Sequence, residues 1–247
     1  PQGEPRGIDR PMSNLLDIVS LSAGYGGRSV ISKINLTLGL SERLALIGPN
    51  GCGKSTLLKT IVDETPETDG KVVFDGEDIT AFPTDAIIHR GIGYLRQSRN
   101  VFPSLTVEDN LGLARLDGNR GHMRDIAEVI RHFPMLQGRE HVRAGLLSGG
   151  EKQALAVAMI LLQRVKLLML DEPLAGLSPN AAKSLLDGIL DIWRKDHFAM
   201  VIVEHRLKLI QPFVDRVAIM QKGEICLDSD DVSLLTDQSR LDEYFIT

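Results

Sequence analysis

The residues with the clearest chemical potential lie in a glycine-rich segment, residues 48–56, which reads GPNGCGKST. It matches the pattern G-x4-G-K-[ST], whose glycines let the backbone curl so that successive N–H groups point inward and cradle phosphates. Lys54 brings a positive charge to the β- and γ-phosphates of a nucleotide, and the Ser55 hydroxyl can bind Mg²⁺. The segment therefore predicts a nucleotide-binding loop. Its candidate binding residues are Gly48, Asn50, Gly51, Cys52, Gly53, Lys54, Ser55 and Thr56.

Two adjacent carboxylates, Asp171 and Glu172, follow the apolar run at residues 167–170. Neighbouring side chains at the end of a strand point in different directions. Asp171 is placed to hold the hydration shell of Mg²⁺, whereas Glu172 can polarise an attacking water molecule. Without the phosphate loop, the same pattern would equally fit a strand that ends in a solvated turn. With it, the pair predicts hydrolysis of the bound nucleotide.

Strands must deliver these groups to one place. Residues 43–47 are nearly all apolar, as expected for a strand buried on both faces, and they run into the glycine-rich loop. Residues 55–61 have helical character, and this context separates a phosphate loop from a glycine-rich turn with a solvated lysine. Further apolar strands are predicted at residues 166–170 and 199–203. Functional side chains collect at the carboxyl ends of strands in open α/β sheets. Here those ends carry Asp171, Glu172, Glu204 and His205.

The remaining sequence predicts two flanking regions. Residues 15–19 and 30–38 are short alternating runs that favour antiparallel strands, and residues 71–75 favour another strand. From residue 106 to about residue 164 the pattern is mainly helical, interrupted by a polar loop at residues 117–121. The sequence contains no internal repeat and no second phosphate loop.

A third motif, LSGGEKQ at residues 147–153, opens a long predicted helix. Ser148 is a favourable N-cap, and small residues at a helix N-terminus form a second site for an anion. This motif resembles the signature sequence of the ATP-binding cassette (ABC) ATPases. All three motifs occur in the family's usual order, and the resemblance spans nearly the whole chain from about residue 14.

The resemblance implies both a fold and an activity. The fold class is α/β, with a P-loop NTPase core in which helices flank a mostly parallel sheet. An antiparallel β subdomain and an inserted helical subdomain, at about residues 97–164, complete a single cassette over residues 12–247. The activity is hydrolysis of ATP, with Mg²⁺ as the cofactor.

The same resemblance implies roles for three more residues. Tyr25 looks like the aromatic residue that stacks on adenine. Gln97 looks like the residue that senses Mg²⁺ and the attacking water, and His205 like the histidine that contacts the γ-phosphate. Taken alone, a tyrosine beside glycines is usually a turn or core residue, and a strand-end histidine is usually structural. The implied catalytic residues are Glu172, His205 and Gln97, and the implied Mg²⁺ ligands are Ser55, Gln97 and Asp171.

In this family the signature segment of one chain faces the nucleotide held by a second chain. The γ-phosphate then receives contacts from both halves, which stabilise charge in the transition state. The sequence holds one cassette, so we expect a homodimer or a related partner cassette. The signature residues implied in nucleotide binding are Ser148, Gly149, Gly150 and Glu151.

The detailed sequence resembles one branch of transport ATPases. Residues 75–80, 101–111 and 174–179 are similar to those of branched-chain amino-acid and urea importer subunits. This implies transmembrane permease subunits, a periplasmic or extracellular solute-binding protein, and a cytoplasmic, peripheral location at the membrane. Lipopolysaccharide-export ATPases are similar in the same way and remain an alternative. An iron–sulfur assembly ATPase is a further alternative outside transport.

Two positions depart from the expected pattern or invite another interpretation. Ser178 stands where the family often has an aspartate that reaches across the dimer; followed by Pro179, it reads as an N-cap with proline at the first helical position. We expect the capping role. Cys52 lies near a helix N-terminus, which can lower a thiol pKa, but we expect a small residue tolerated in the loop.

Composition excludes several other classes of protein. A net charge of −5 argues against a dedicated nucleic-acid binder. Two distant cysteines form neither a disulfide framework nor a metal-binding pattern. The longest apolar run, residues 154–162, is far shorter than the roughly 20 residues that span a bilayer. Residues 1–11 are rich in proline and glycine, and we expect them to be disordered or a cloning remnant ahead of a natural start at Met12.

Overall fold

A six-stranded sheet forms the centre of the fold, which a computed structural model describes for residues 14–116 and 123–245. Its inner strands pair in parallel, and only the edge strand of residues 224–229 runs antiparallel to its neighbour. All parallel strands therefore end at one edge. In spatial order the strands are β10 (Glu224–Ser229), β9 (Arg216–Gln221), β3 (Arg43–Ile47), β8 (Ala199–Val203), β7 (Leu167–Asp171) and β6 (Ile92–Leu95).

A smaller antiparallel sheet packs against one face of the central sheet. The strands predicted at residues 15–19, 30–38 and 71–75 all belong to it, although all three are longer than predicted. The first two strands are joined by a hairpin turn at Gly26 and Gly27, where both residues have positive φ. In spatial order the strands are β2 (Arg28–Gly39), β1 (Asn14–Tyr25), β4 (Glu67–Phe74) and β5 (Glu77–Asp78).

Helices cover both faces of the central sheet. Those of the described residues are α1 (Lys54–Ile61), α2 (Thr84–His89), α3 (Val107–Leu116), α4 (Ile126–Arg131), α5 (Gly149–Leu162), α6 (Pro179–Asp196), α7 (Leu207–Ile210) and α8 (Gln238–Phe245). Short 3₁₀ turns span Pro134–Leu136, Ala144–Leu146, Gln211–Phe213 and Val232–Thr236. No described helix has the length and low polarity needed to cross a bilayer.

The central sheet separates two hydrophobic clusters. Leu44 and Leu46 of β3 point toward the small sheet and α1, whereas Ala45 and Ile47 point toward α5 and α6. Because successive strand residues face opposite sides, a strand covered on both faces must be apolar throughout. Burial of each such side chain contributes about 1.5–3 kcal/mol. This is why β3 and β8 have the boundaries that their sequence predicts.

The helical region between β6 and β7 packs closely on α6. Gly188 of α6 makes this possible, since a Cβ atom there would lie 2.3 Å from the carbonyl oxygen of His132 and 2.8 Å from the Phe133 ring. Buried Arg124 adds a polar link: it donates to the Leu161 carbonyl at the end of α5 and pairs with Asp196 at the end of α6. The helical region therefore shares its core with the sheet.

Some predictions concern parts of the chain outside the described residues. These are the character of residues 1–11, the start at Met12 and the polar loop at residues 117–121.

Candidate functional site

The predicted phosphate loop connects the end of β3 to the start of α1. Gly48 has φ +152°, and a Cβ atom there would lie 2.1 Å from the Met220 carbonyl oxygen on β9. Gly53 has φ +109°, and a Cβ atom would lie 2.7 Å from Ile31 on β2. Left-handed backbone and close neighbours both exclude a side chain at these positions. The tight curl thus depends on glycine, as the sequence pattern predicts.

Lys54 lies over the loop to which it belongs. Its side chain is only 5% exposed, and its Nζ atom donates hydrogen bonds to the carbonyl oxygens of Gly48 (2.8 Å) and Pro49 (2.9 Å). The first N–H groups of α1 have no acceptor within the helix. The loop therefore combines a fixed ammonium group with backbone donors, a combination suited to phosphate oxygens.

Asp171, at the end of β7, meets the first turn of α1. Ser55 Oγ donates to Asp171 Oδ1 at 3.0 Å, and the Tyr94 hydroxyl lies 3.5 Å from Oδ2. The side chain is almost fully buried. Burial raises the pKa of the Asp171 carboxyl, and the hydrogen bond from Ser55 opposes that shift.

The oxygens of Ser55 and Asp171 suit a hard cation such as Mg²⁺. No cluster of three or more His, Cys, Asp or Glu side chains able to hold a metal occurs in the described residues. A cation that takes most of its ligands from substrate phosphates and water does not need one, because Mg²⁺ is usually bound through one or two carboxylates.

Glu172 is held between two other predicted residues. Gln97 Nε2 donates to Glu172 Oε2 at 3.0 Å, and His205 Nε2 lies 3.3 Å from Oε1. Glu172 itself has a left-handed backbone with φ +52°, and its N–H donates to the Val203 carbonyl oxygen at 2.9 Å. Gln97, Glu172 and His205 follow the parallel strands β6, β7 and β8, so the shared edge of the sheet brings all three together.

Two residues of this edge were not predicted as site residues. Tyr94, on β6, contacts Asp171 and directly follows Gly93 of the same strand. Glu204, 3% exposed, accepts hydrogen bonds from the N–H groups of Leu174 (2.6 Å), His205 (2.9 Å) and Arg206 (3.2 Å). The position of Glu204 directly after an apolar strand was a sequence signal, but its acceptor role depends on contacts that the sequence does not specify.

Tyr25 lies at the end of β1, beside the hairpin turn of the small sheet. Its side chain is 41% exposed. The turn is fixed by Glu67, whose carboxylate accepts a hydrogen bond from the Gly27 N–H at 2.9 Å. The tyrosine ring is thus available for stacking, and it takes no part in the hydrogen bonds of the Asp171 and Glu172 cluster.

The signature segment forms its own, separate arrangement. Ser148 caps α5 in a capping box: its Oγ accepts from the Glu151 N–H (3.3 Å), and its N–H donates to Glu151 Oε2 (2.7 Å). Arg139 Nε donates to the other carboxylate oxygen of Glu151 at 3.0 Å. The hydrogen bond from the Ser148 backbone lowers the pKa of Glu151. These bonds stay within this end of α5, and the exposed Ser148 and Gly149 face outward.

Ser178 and Cys52 follow the expectations for them. Ser178 Oγ accepts a hydrogen bond from the Ala181 N–H at 3.3 Å, and Pro179 occupies the first turn of α6. Cys52 is buried, and burial raises the pKa of its thiol. A raised thiol pKa leaves little thiolate at neutral pH, so Cys52 has the properties of a packed small residue.

Comparison with known proteins identifies the architecture that carries these contacts. A family model described as ABC transporter matches residues 31–175, which include the phosphate loop, the signature segment and both carboxylates. The chain belongs to the ABC transporter family. It is an ATP-binding subunit of that family, and hydrolysis of ATP is the general activity of ABC ATPases.

Curated relatives match this ABC ATPase over most of its length. The probable branched-chain amino acid transport ATP-binding protein LivF of Archaeoglobus fulgidus is 35% identical over 90% of this chain and 94% of its own. The high-affinity branched-chain amino acid transport protein BraG of Pseudomonas aeruginosa is 31% identical over 93% and 99%. The lipopolysaccharide export protein LptB of Haemophilus influenzae is 32% identical over 91% and 94%. The predicted similarity to importer subunits is therefore confirmed.

Solved structures of ABC cassettes share the fold. A nucleotide-free ATP-binding cassette from an ABC transporter superposes with a TM-score of 0.80 at 23% identity, over 94% of this chain and 99% of that one. An ATP-binding subunit of another ABC transporter superposes with a TM-score of 0.76 at 26% identity, over 94% and 98%. The predicted P-loop NTPase core is thus confirmed.

Proposed function

We propose that this ABC ATPase drives an importer of branched-chain amino acids or of a similar small polar solute. LivF and BraG, whose names assign them to branched-chain amino-acid transport, each cover at least 90% of the chain. The single observation that carries the hydrolytic part is the pair of contacts that holds Glu172 between Gln97 and His205.

ATP binds with its adenine against Tyr25 and its phosphates in the loop of residues 48–56. The exposed ring at the end of β1 supports the first contact. The second is supported by the glycine-dependent curl and by the buried ammonium group of Lys54. Lys54 transfers its hydrogen bonds from the carbonyls of its own loop to the β- and γ-phosphates.

Mg²⁺ would be held by Ser55, Asp171 and Gln97. The Ser55 and Asp171 oxygens already lie at hydrogen-bond distance, and the Gln97 side chain reaches the adjacent carboxylate. When bound there, the ion would neutralise the charge that develops on the phosphate oxygens. Asp171 keeps the ion next to the phosphate loop because burial and the Ser55 hydrogen bond fix its carboxylate.

Glu172 polarises the water that attacks the γ-phosphate. Gln97 donates to one oxygen of its carboxylate and His205 lies beside the other, so the side chain has one defined orientation. His205 is 44% exposed at its side chain and can turn toward the γ-phosphate. A fixed base beside a bound phosphate is the arrangement that positional catalysis requires.

A second cassette completes each site through Ser148, Gly149, Gly150 and Glu151. The exposed N-terminus of α5 supports this proposal, since its capping box leaves the Ser148 hydroxyl proton free to donate. Glu151 holds the helix start and pairs with Arg139, so its contribution to the partner's nucleotide is to orient Ser148. The partner is a second copy of this chain or a related cassette.

The single cassette extends over residues 12–247, with the helical subdomain at about residues 97–164. A cleft of about 330 Å³ lies where this subdomain meets β6, and it has a mixed apolar and cationic lining. We assign it to a helix of the transmembrane permease, and the 52% exposed Phe102 supports this choice. The assembly would then lie on the cytoplasmic face of the membrane, with a periplasmic or extracellular solute-binding protein opposite. Lining residues include Ile88, Tyr94, Arg99, Phe102, Ala114 and Ile160.

A lipid exporter is the second candidate. The specific observation in its favour is the 32% identity to LptB over 91% of the chain. The ATPase chemistry would be the same in both cases, because the phosphate loop and the Glu172 cluster do not contact the cargo.

Co-purification with the natural membrane partners tests the proposed transport function. An affinity-tagged full chain, expressed in its native organism, should co-purify with a pair of permease subunits. Vesicles reconstituted with that complex should accumulate labelled leucine only when ATP and a solute-binding protein are present. Recovery of lipid-export components, or vesicles that hydrolyse ATP without any solute uptake, would contradict the importer assignment.

A further inference from the structure

The buried carboxylate of Glu204 connects two segments that are distant in sequence. One oxygen accepts from the Leu174 N–H at 2.6 Å, and the other accepts from His205 (2.9 Å) and Arg206 (3.2 Å). Hydrogen bonds to a carboxylate contribute more than hydrogen bonds between neutral groups. Glu204 therefore fixes the turn that carries His205 and the start of the segment after Glu172 at the same time.

Arg206 holds the same segment from its carbonyl side. Its Nη1 atom donates to the carbonyl oxygen of Leu177 at 2.9 Å and lies 3.4 Å from that of Leu174. The segment of residues 174–177 is thus held by an acceptor at residue 204 and a donor at residue 206. The residue between these two is His205.

These bonds link the 174–177 segment to the cluster of Gln97, Glu172 and His205. Glu172 precedes the 174–177 segment by two positions, and its side chain meets His205 Nε2 at 3.3 Å. The segment then leads to Ser178, the N-cap of α6. Any displacement of the His205 turn must therefore either move the 174–177 segment or break the bonds to Glu204 and Arg206.

We propose that Glu204 and Arg206 are positioning residues that make the position of His205 and the position of the 174–177 segment interdependent. This inference rests on the proposed roles of Glu172 and His205 in hydrolysis. Contact between His205 and the γ-phosphate then changes the backbone before α6, and a change in that backbone alters the alignment of Glu172. The two residues act through Glu172 and His205 and do not touch the nucleotide.

Substitutions that remove hydrogen bonds but keep the stem of the side chain separate this role from simple packing. In Glu204→Gln, one carboxylate oxygen becomes an NH₂ group, which cannot accept a hydrogen bond. The amide therefore satisfies either Leu174 or the His205 turn, but not both. Arg206→Met keeps an unbranched apolar stem in place of the aliphatic part of the side chain and removes both donor contacts. Matched controls are Glu243→Gln and Arg194→Met, at exposed positions on α8 and α6.

Steady-state hydrolysis by the full chain is the first test. We expect both Glu204→Gln and Arg206→Met to lower kcat by at least about tenfold, because small misplacements of catalytic groups have effects of this size. The KM for ATP should stay within about threefold, since the phosphate loop is untouched. Both controls should match the parent. An unchanged kcat, or a rise in KM equal to the fall in kcat, would overturn the proposal.

Deuterium exchange tests the interdependence itself. In the Glu172→Gln variant, ATP should change deuterium uptake in a peptide spanning residues 173–178. Adding Glu204→Gln or Arg206→Met should abolish that change while ATP still binds. A full ATP response in both double variants would overturn the proposal. If Glu204→Gln does not fold, Arg206→Met carries the same test. Normal hydrolysis by Glu172→Gln alone would instead contradict the proposed role of Glu172, and it is measured before the second substitution is made.

Discussion

Glu172 combines an unfavourable backbone with a well-held side chain. A left-handed conformation costs a residue with a Cβ atom roughly 1–2 kcal/mol, and Glu172 adopts it at φ +52°. The cost is offset by the bond from its N–H to Val203 and by the contacts of its carboxylate with Gln97 and His205. Strain of this kind is retained where the surroundings over-determine it, and such positions cluster at functional sites.

Glycine at position 48 carries a prediction for nucleotide binding. Gly48→Ala places a Cβ atom 2.1 Å from the Met220 carbonyl oxygen, so we expect a loss of more than about 2 kcal/mol of stability and weak ATP binding. Gly76→Ala is the matched control, because Gly76 also has positive φ but no atom within 4 Å of the added Cβ. Urea denaturation and titration with a fluorescent ATP analogue measure both effects. Equal stability and equal ATP affinity of the two variants would show that the contact with the Met220 carbonyl oxygen does not matter.

Glu151 gives the stability a dependence on pH. Because its pKa is lowered in the folded chain, its contribution is present above the pKa of the unfolded state and disappears as pH falls through the folded value. Glu151→Gln should therefore destabilise the folded chain at pH 7 by up to about 1 kcal/mol, the range of a helix-capping interaction. Parent and variant should converge below about pH 4. Denaturation midpoints of parent and variant between about pH 4 and pH 7 test this pH dependence. A stability difference that grows toward acid pH would contradict it.

At the scale of elements, the tightest packing is between the helical region and α6. A Cβ atom on Gly188 would collide with the His132 carbonyl and the Phe133 ring, so Gly188→Ala should cost about 1–3 kcal/mol as the helices separate. Gly112→Ala, in α3 with no atom within 4 Å of the added Cβ, should be neutral or stabilising by up to about 1 kcal/mol. Thermal denaturation of both variants measures this difference in stability. If Gly188→Ala were as stable as Gly112→Ala, the close packing between α6 and the helical region would be able to relax around the added methyl group.

The sequence predicts elements best where burial on both faces forces an unbroken apolar run. The strands at residues 43–47 and 199–203 have the predicted bounds for this reason. β10 was missed because it is an edge strand with alternating exposure, and β6 because only four residues belong to it. Sequence order could place Gln97, Asp171, Glu172 and His205 near one edge of the sheet. It could not show that Gln97 and His205 flank the same carboxylate, or that Glu204 and Arg206 hold the 174–177 segment, because these contacts depend on the folded backbone.

At the scale of the whole molecule, the chain has two surfaces that we propose bind nucleotide, and they are built from different elements. The phosphate loop and the Glu172 cluster form one, and the exposed N-terminus of α5 forms the other. Ser148 and Glu151 form hydrogen bonds with each other, and Glu151 also accepts one from Arg139. This division explains why an ABC cassette of this kind would hydrolyse ATP as a pair, in which each chain supplies the surface that the other lacks.

The most direct test of this central claim is the behaviour of Glu172→Gln toward ATP and Mg²⁺. The substitution keeps the size of the side chain and removes its ability to accept a proton, so hydrolysis should fall by at least about a hundredfold. ATP should still bind, and size-exclusion chromatography with light scattering should show an ATP-dependent dimer that the parent forms only transiently. Near-normal hydrolysis by Glu172→Gln, or a variant that binds ATP and remains monomeric, would contradict the assignment of Glu172 and of the paired site.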